Sequence, residues 1–135
     1  MIPFEQPIDI RFCDLDGLGH VNNAVYLSYF EALRLNYGFA LFGSKQLEAI
    51  PFILGEVTVR YLKPVFFGDQ IIGSAWVSRI GSKSFTLEYA IHRGDELVTK
   101  GSSELVWFDY ANNKTIEIPD SFRQRVAALQ GNNSI

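Results

Sequence analysis

The sequence predicts an α+β domain in which an antiparallel sheet curls around one long helix. Three observations lead there. The stretch from Asn22 to Phe42 has no proline and a single glycine, Gly38, and its apolar residues recur at helical spacing on all sides. A helix that is apolar all round is a buried one. After Pro51 the chain reads as short alternating strands separated by turn residues, and close-set strands form antiparallel pairs. The 135 residues, 47% of them hydrophobic, suffice for one core and not two, so residues 1–135 are read as a single domain.

Ile8, Ile10 and Phe12 alternate with Asp9, Arg11 and Cys13, a strand pattern. A polar, glycine-containing segment from Asp14 to Asn23 follows, then the long helix, with Gly43 as its stop. Val57, Val59 and Tyr61 alternate with Glu56, Thr58 and Arg60. Gly68-Asp69 marks a turn before a strand over Ile71–Ser78. Gly81-Ser82 turns into Phe85, Leu87, Tyr89 and Ile91, and Arg93-Gly94-Asp95 turns into a long strand, Leu97–Phe108, which Asn112-Asn113 ends. A last helix begins near Pro119 with Phe122, Val126 and Leu129 on one face and Gly131 as its stop. Asn132–Ile135 reads as a loose tail.

Composition narrows the function. A net charge of −3 without a basic run gives no footprint for nucleic acid. The N-terminus lacks the pattern of a secretory signal, and no run of 18 apolar residues is present to span a membrane. Cys13, the one cysteine, forms neither an internal disulfide nor a multi-cysteine metal site. The expectation is a cytoplasmic protein. Eleven Phe, six Tyr and two Trp are expected mostly to fill the core, while such side chains also line apolar pockets and subunit interfaces.

The chemistry concentrates in Asp14-Leu15-Asp16-Gly17-Leu18-Gly19-His20-Val21-Asn22-Asn23, ahead of the long helix. The first turn of a helix offers free N–H groups and the positive end of the dipole, which can polarise a carbonyl or hold an oxyanion. A carboxylate on the preceding loop can act on the same carbon as base or nucleophile. The same residues also have structural roles open to them: Asn22 or Asn23 as a helix cap, Asp14 or Asp16 as a shaper of the loop. Asp14-Leu15-Asp16-Gly17 resembles the first motif of haloacid-dehalogenase phosphatases, but those need a parallel sheet, and Leu18 stands where they carry Thr. An EF-hand is excluded by the missing closing Glu. A metal held by Asp14, Asp16 and His20 is weighed and not assigned; no metal and no cofactor are expected.

This run, with Tyr26, Glu31 and Arg34 after it, resembles the 4-hydroxybenzoyl-CoA thioesterase-like family, and within it the acyl-CoA thioester hydrolases with a Gly-His-Val-Asn-Asn motif. Tyr61 with Pro64, Gly68-Asp69, Ser82-Lys83-Ser84 and Ile118-Pro119 extend the likeness over nearly the whole chain. The resemblance implies a hot-dog fold and hydrolysis of an acyl-CoA, or an acyl carrier protein thioester, to the free acid. It implies Asp16 as the catalytic carboxylate and the backbone N–H of Asn23 as the group that polarises the carbonyl. Asp14, His20, Asn22 and Tyr26 are expected to support Asp16 or to line the pocket, and Lys83, Ser82 and Arg60 are expected partners of CoA. Glu31 and Arg34 can pair with each other along the helix. A homodimer or homotetramer is implied, with sites at the dimer interface. A non-catalytic acyl-thioester-binding protein and a hydratase or dehydratase are the alternatives.

Overall fold

The computed structural model describes residues 1–131, so the tail beginning at Asn132 lies outside the described residues. The long helix, α1, is Val25–Phe42, and Gly43 ends it with φ 63° and its N–H bonded to the Phe39 carbonyl. It starts later than the periodicity suggests. Asn22 Oδ1 accepts the Ala24 N–H at 2.9 Å and holds this stretch as a turn.

Six strands accompany the helix: β1 (Phe4–Ile8), β2 (Phe52–Tyr61), β3 (Ile71–Ile80), β4 (Ser84–Arg93), β5 (Glu96–Asp109) and the short β6 (Lys114–Thr115). A second helix, α2, covers Asp120–Gln130, with Pro119 in extended geometry just before it. The sheet runs β1-β3-β4-β5-β2, antiparallel throughout, with β6 paired to the end of β5. The expectation that successive strands pair places β2 beside β3. In the structure β2 pairs with β5 instead, and Leu62–Gln70 carries the chain across the end of the sheet. β1 and β2 are therefore opposite edges, and α1 crosses between them.

The first strand also differs from its pattern. It ends at Ile8, because the Asp14 carboxylate takes the Arg11 N–H at 3.0 Å and the Asp14 N–H bonds the Arg11 carbonyl at 2.9 Å. These bonds wind Phe12–Asp14 into a 3₁₀ turn and turn Phe12 out to solvent.

The sheet approaches α1 closely at two glycines. A Cβ on Gly73 would lie 2.8 Å from Leu33 Cδ1, and one on Gly101 would lie 2.5 Å from the Phe30 ring and 2.5 Å from the Thr58 carbonyl oxygen. Phe30 and Leu33 are fully buried there, and the Phe30 ring stacks on Tyr89 at 4.3 Å. The expectation of a helix buried on every side is met on one side only. Leu27, Ser28, Glu31, Ala32, Asn36 and Ala40 face outward, since the sheet wraps the opposite flank.

α2 closes the far end of the core. Phe122 meets Phe85 and Trp107 at 4.8 Å each, and Phe122 and Val126 are buried. Leu129, expected on that face, is exposed, and Gln130 is buried in its place. The reason is hydrogen bonding. β1 reaches only as far as Ala75, so Val77 lacks a strand partner on that side. Gln130 Oε1 accepts the Val77 N–H at 2.7 Å and Nε2 donates to the Val77 carbonyl at 3.1 Å, while the Tyr37 hydroxyl donates to Oε1 at 2.6 Å. One side-chain amide replaces the missing strand's peptide group. Among the described residues no helix is long and apolar enough to cross a membrane.

Buried polar groups left without partners are costly. Gln130→Ala is expected to lower unfolding free energy by about 2–4 kcal/mol in denaturant titration. The exposed neighbour Gln124→Ala should change it by less than about 0.5 kcal/mol. Equal effects from both would contradict this role for Gln130.

Candidate active site

The loop before α1 is built as a small backbone ladder. The Asp16 N–H bonds the His20 carbonyl at 2.7 Å, Leu15 bridges Val21, and the Asn22 N–H bonds the Asp14 carbonyl at 2.8 Å. Gly19 makes the reversal with φ 85°, a conformation that favours glycine. His20 in turn bridges Phe66 of the β2–β3 connection, and their rings meet edge to face at 5.0 Å. The ladder thus fixes Asp16 and the entry of α1 against one end of the sheet.

The two carboxylates have opposite environments. Asp14 is 1% exposed and fully partnered. Its Oδ1 accepts from Arg11 Nη2 at 2.9 Å and Arg11 Nε at 3.1 Å, and its Oδ2 accepts from the buried Tyr29 hydroxyl at 2.8 Å and from the Arg11 N–H. Burial alone pushes this carboxyl up, but the Arg11 N–H, the Tyr29 hydroxyl and the Arg11 guanidinium together hold it below the ordinary aspartate value. Burial, and then the bond to Asp14, push the Tyr29 hydroxyl well above the usual tyrosine range.

Asp16 is only half-buried. One of its oxygens, Oδ1, accepts the Leu18 N–H at 2.8 Å and the His20 N–H at 3.2 Å. Its other oxygen has no donor among the described residues.

At the helix entry the Ala24 N–H is taken by Asn22 Oδ1 and the Val25 N–H by the Asn22 carbonyl. The Asn23 N–H has no acceptor among the described residues. Its own carbonyl is clamped by the Tyr61 hydroxyl, which donates to it at 2.6 Å. His20, Asn23, Tyr26, Tyr61 and Lys63 line a cavity of about 210 Å³ at this end of the helix. Tyr26 is buried, with its ring edge to face on Tyr61 at 5.1 Å.

Asp14, Asp16, His20, Asn22, Asn23 and Tyr26 therefore come together, His20 supporting Asp16 through its main chain and not its ring. The residues expected to meet CoA do not join them within one chain. Ser82 and Lys83 form the β3–β4 turn, at the opposite end of β3 from Phe66 and His20. Ten residues of strand separate the two, roughly 30 Å. Arg60 points from β2 to the outer face of the sheet, since Tyr61 beside it faces α1. Glu31 and Arg34 do approach each other, at 3.8 Å, and Arg34 Nη1 also donates to the Tyr89 hydroxyl at 3.1 Å.

Sequence reasoning did not single out Tyr29 or Phe66, or give Arg11 its role as the Asp14 partner. Tyr29 lies one helical turn after Tyr26 on the inner face, which was a readable signal; Phe66, in an irregular loop, offered none. Among the described residues no three His, Cys, Asp or Glu side chains converge as metal ligands.

Residues 10–126 match the family model described as the thioesterase-like superfamily. A thioesterase of Thermus thermophilus, solved with coenzyme A and zinc, superposes with a TM-score of 0.87 at 34% identity, covering 95% of this chain and 94% of that one. The 1,4-dihydroxy-2-naphthoyl-CoA hydrolase of Nostoc punctiforme is 27% identical over 121 residues, 85% of this chain and 80% of its own. The DHNA-CoA thioesterase of Staphylococcus aureus superposes with a TM-score of 0.83 at 27% identity, covering 100% of this chain and 97% of that one. The chain belongs to the thioesterase-like superfamily: it has the hot-dog fold and is a thioester hydrolase.

The Asp14 environment makes a pH-dependent prediction. A depressed carboxyl stabilises the fold above the unfolded aspartate value of about 3.9, and that contribution fades as pH falls through the lower folded value. Asp14→Asn should cost about 2–3 kcal/mol at pH 7 in denaturant unfolding, with the gap to wild type narrowing below about pH 4. A gap that stays constant from pH 7 to pH 3 would refute the charged role of Asp14.

Proposed function

We propose that the protein hydrolyses acyl-CoA thioesters in the cytoplasm, with Asp16 acting on the carbonyl carbon and the Asn23 N–H holding the carbonyl oxygen. The observation that carries this reading is the pair of free groups at the helix entry. Among the described residues one Asp16 oxygen and the Asn23 N–H are without partners, whereas Asp14 and the Asn22, Ala24 and Val25 N–H groups are engaged. A donor left open at a helix N-terminus favours the charge that develops on oxygen as the carbonyl is attacked. Asp16 serves either as nucleophile, through an acyl anhydride, or as the base that activates water. The thiol leaves as thiolate without a dedicated acid, since an ordinary thiol pKa is about 8.5. An acyl carrier protein thioester would react in the same way.

The proposal includes a homodimer formed through β2. This strand is a sheet edge of ten residues with Ile53 and Leu54 exposed, and an uncovered apolar edge is a pairing surface. Two-fold antiparallel pairing there reverses the strand direction in the second copy. The Ser82–Lys83 turn of that copy then comes to the Asp16 end, where it can meet CoA phosphates, and the site is shared between subunits.

Asp16→Asn keeps the shape of the side chain and removes its basic oxygen. It should lower kcat on acyl-CoA roughly a hundredfold or more, as expected for a group acting in the chemical step, with KM and thermal unfolding little changed. Free-thiol release over a panel of straight-chain and aryl-CoA esters measures this and reports the preferred acyl group. Near-wild-type turnover by the variant would overturn the assignment. Absence of turnover by the wild type on every thioester would favour a binding protein, and hydration of an enoyl-CoA would favour a hydratase.

A further inference from the structure

Arg93 closes β4 at the end of the sheet where the Leu62–Gln70 connection enters β3. Its guanidinium is shared between two elements. On its own hairpin, Nε and Nη2 donate to Glu96 Oε1 at 3.2 and 2.5 Å. On the other side, Nη1 donates to the Asp69 carboxylate at 2.7 Å and to the Pro64 carbonyl at 3.1 Å, both in the connection. Lys63 adds a bond from the connection to Glu96 at 2.7 Å. The Arg93 and Asp69 side chains are only 28% and 24% exposed, so solvent and salt screen this pair less than an open surface pair. Asp69 is itself locked into its turn. Its Oδ2 also accepts the Phe66 N–H at 2.9 Å, and its own N–H bonds the Phe66 carbonyl at 3.1 Å.

The residues between Pro64 and Asp69 are those on which the loop before α1 rests. The Val65 carbonyl accepts the Val21 N–H at 2.8 Å, and Phe66 bridges His20. His20 then meets Asp16 twice: its carbonyl accepts the Asp16 N–H at 2.7 Å, and its N–H donates to Asp16 Oδ1 at 3.2 Å. Arg93 thus holds the connection on both sides of this contact, at Pro64 before it and at Asp69 after it. The sheet secures the ends of the connection, where the Leu62 and Lys63 N–H groups bond the Val98 carbonyl at 3.0 Å each and β3 begins at Ile71. Burial does little for the middle. Val65 is buried, but Phe66 and Phe67 expose their rings, and Pro64 and Gly68 are exposed as well. Polar bonds must therefore offset the conformational freedom of this irregular stretch. A planar guanidinium can do so in two directions at once, which the single ammonium of a lysine cannot.

We infer that Arg93 is a positioning residue for thioester hydrolysis. By clamping Pro64 and Asp69 it fixes the Val65–Phe66 strip under His20 and Val21, and through them the open oxygen of Asp16 relative to the Asn23 N–H. It acts on the substrate only through that chain of contacts. This inference rests on the assignment of Asp16 and Asn23 made above.

Thiol-release kinetics of Arg93→Met, Asp69→Ala and the double variant test this on the acyl-CoA that the wild type prefers. Each single variant should lower kcat about tenfold with KM within about twofold, the cost of a slightly displaced reacting group. The double variant should lose no more than either single one, because both cut the same link. Gln130→Ala, destabilised at the far end of the core, should keep its kcat, which separates positioning from loss of stability. In an Asp16→Asn background Arg93→Met should cause no further loss. Amide hydrogen exchange followed by NMR reads the link without turnover. The Val21 N–H should exchange roughly tenfold faster in Arg93→Met relative to the Phe30 N–H of α1, and Asp69→Ala gives the same reading should Arg93→Met fail to fold. Wild-type kcat in a single variant, additive losses in the double variant, an equal loss in Gln130→Ala, or a Val21 N–H that changes only in step with Phe30 would each overturn the inference. Near-wild-type turnover by Asp16→Asn, with fast Val21 exchange in Arg93→Met, would instead overturn the Asp16 assignment and leave the clamp on the loop standing.

Discussion

The close seating of α1 on the sheet is the constraint on which the rest depends. Gly73 and Gly101 have no side chain because Leu33 and Phe30 occupy that space, and any Cβ there would lie within 2.8 Å of a neighbour. A packed interior cannot absorb such an overlap without moving backbone. The contact fixes the distance of the helix from the sheet as well as its rotation. Phe30, stacked on Tyr89, is the centre of the inner face, and the position of the helix N-terminus follows from it.

From that fixed point the active loop is set by hydrogen bonds. The division of labour between Asp14 and Asp16 is a division of environments. Asp14 is buried, ionised and saturated by Arg11 and Tyr29, so it ties the loop to the second turn of α1. Asp16 is tethered by one oxygen to its own loop and keeps the other free. Two identical side chains, two residues apart, thus end in opposite states: one ties the loop down, the other keeps an oxygen open. Tyr61 adds to this by anchoring the Asn23 carbonyl from β2, so the residue that bears the free N–H is held through its next peptide group.

The single chain leaves two surfaces that a stable protein ordinarily covers. The ten-residue β2 edge has no strand on its outer side, and the outer flank of α1 exposes Leu27 beside Leu54 and Val57.

Local pattern was enough for most of the elements. Apolar spacing found α1 and the strands, Gly43 and Gly131 stopped their helices as expected, and the loop before α1 was recognisable from its carboxylates, histidine and amides. The β3–β4 and β4–β5 hairpins followed from their short turns, but the place of β2 was not legible, because alternation reports which face a residue occupies and not which strand lies beside it; β2 went to β5 and not to β3. Leu129 and Gln130 exchanged places because a sheet edge needed an amide more than a methyl group, a demand that arises only once β1 has ended. The different environments of Asp14 and Asp16 were likewise set by tertiary contacts, since Tyr29 and Phe66 reach the loop from other elements. What the sequence by itself determined was periodicity and chemical inventory, which are properties of neighbours along the chain. What only the tertiary structure decided was which groups are satisfied and which stay free, because hydrogen bonding and burial depend on residues distant in sequence.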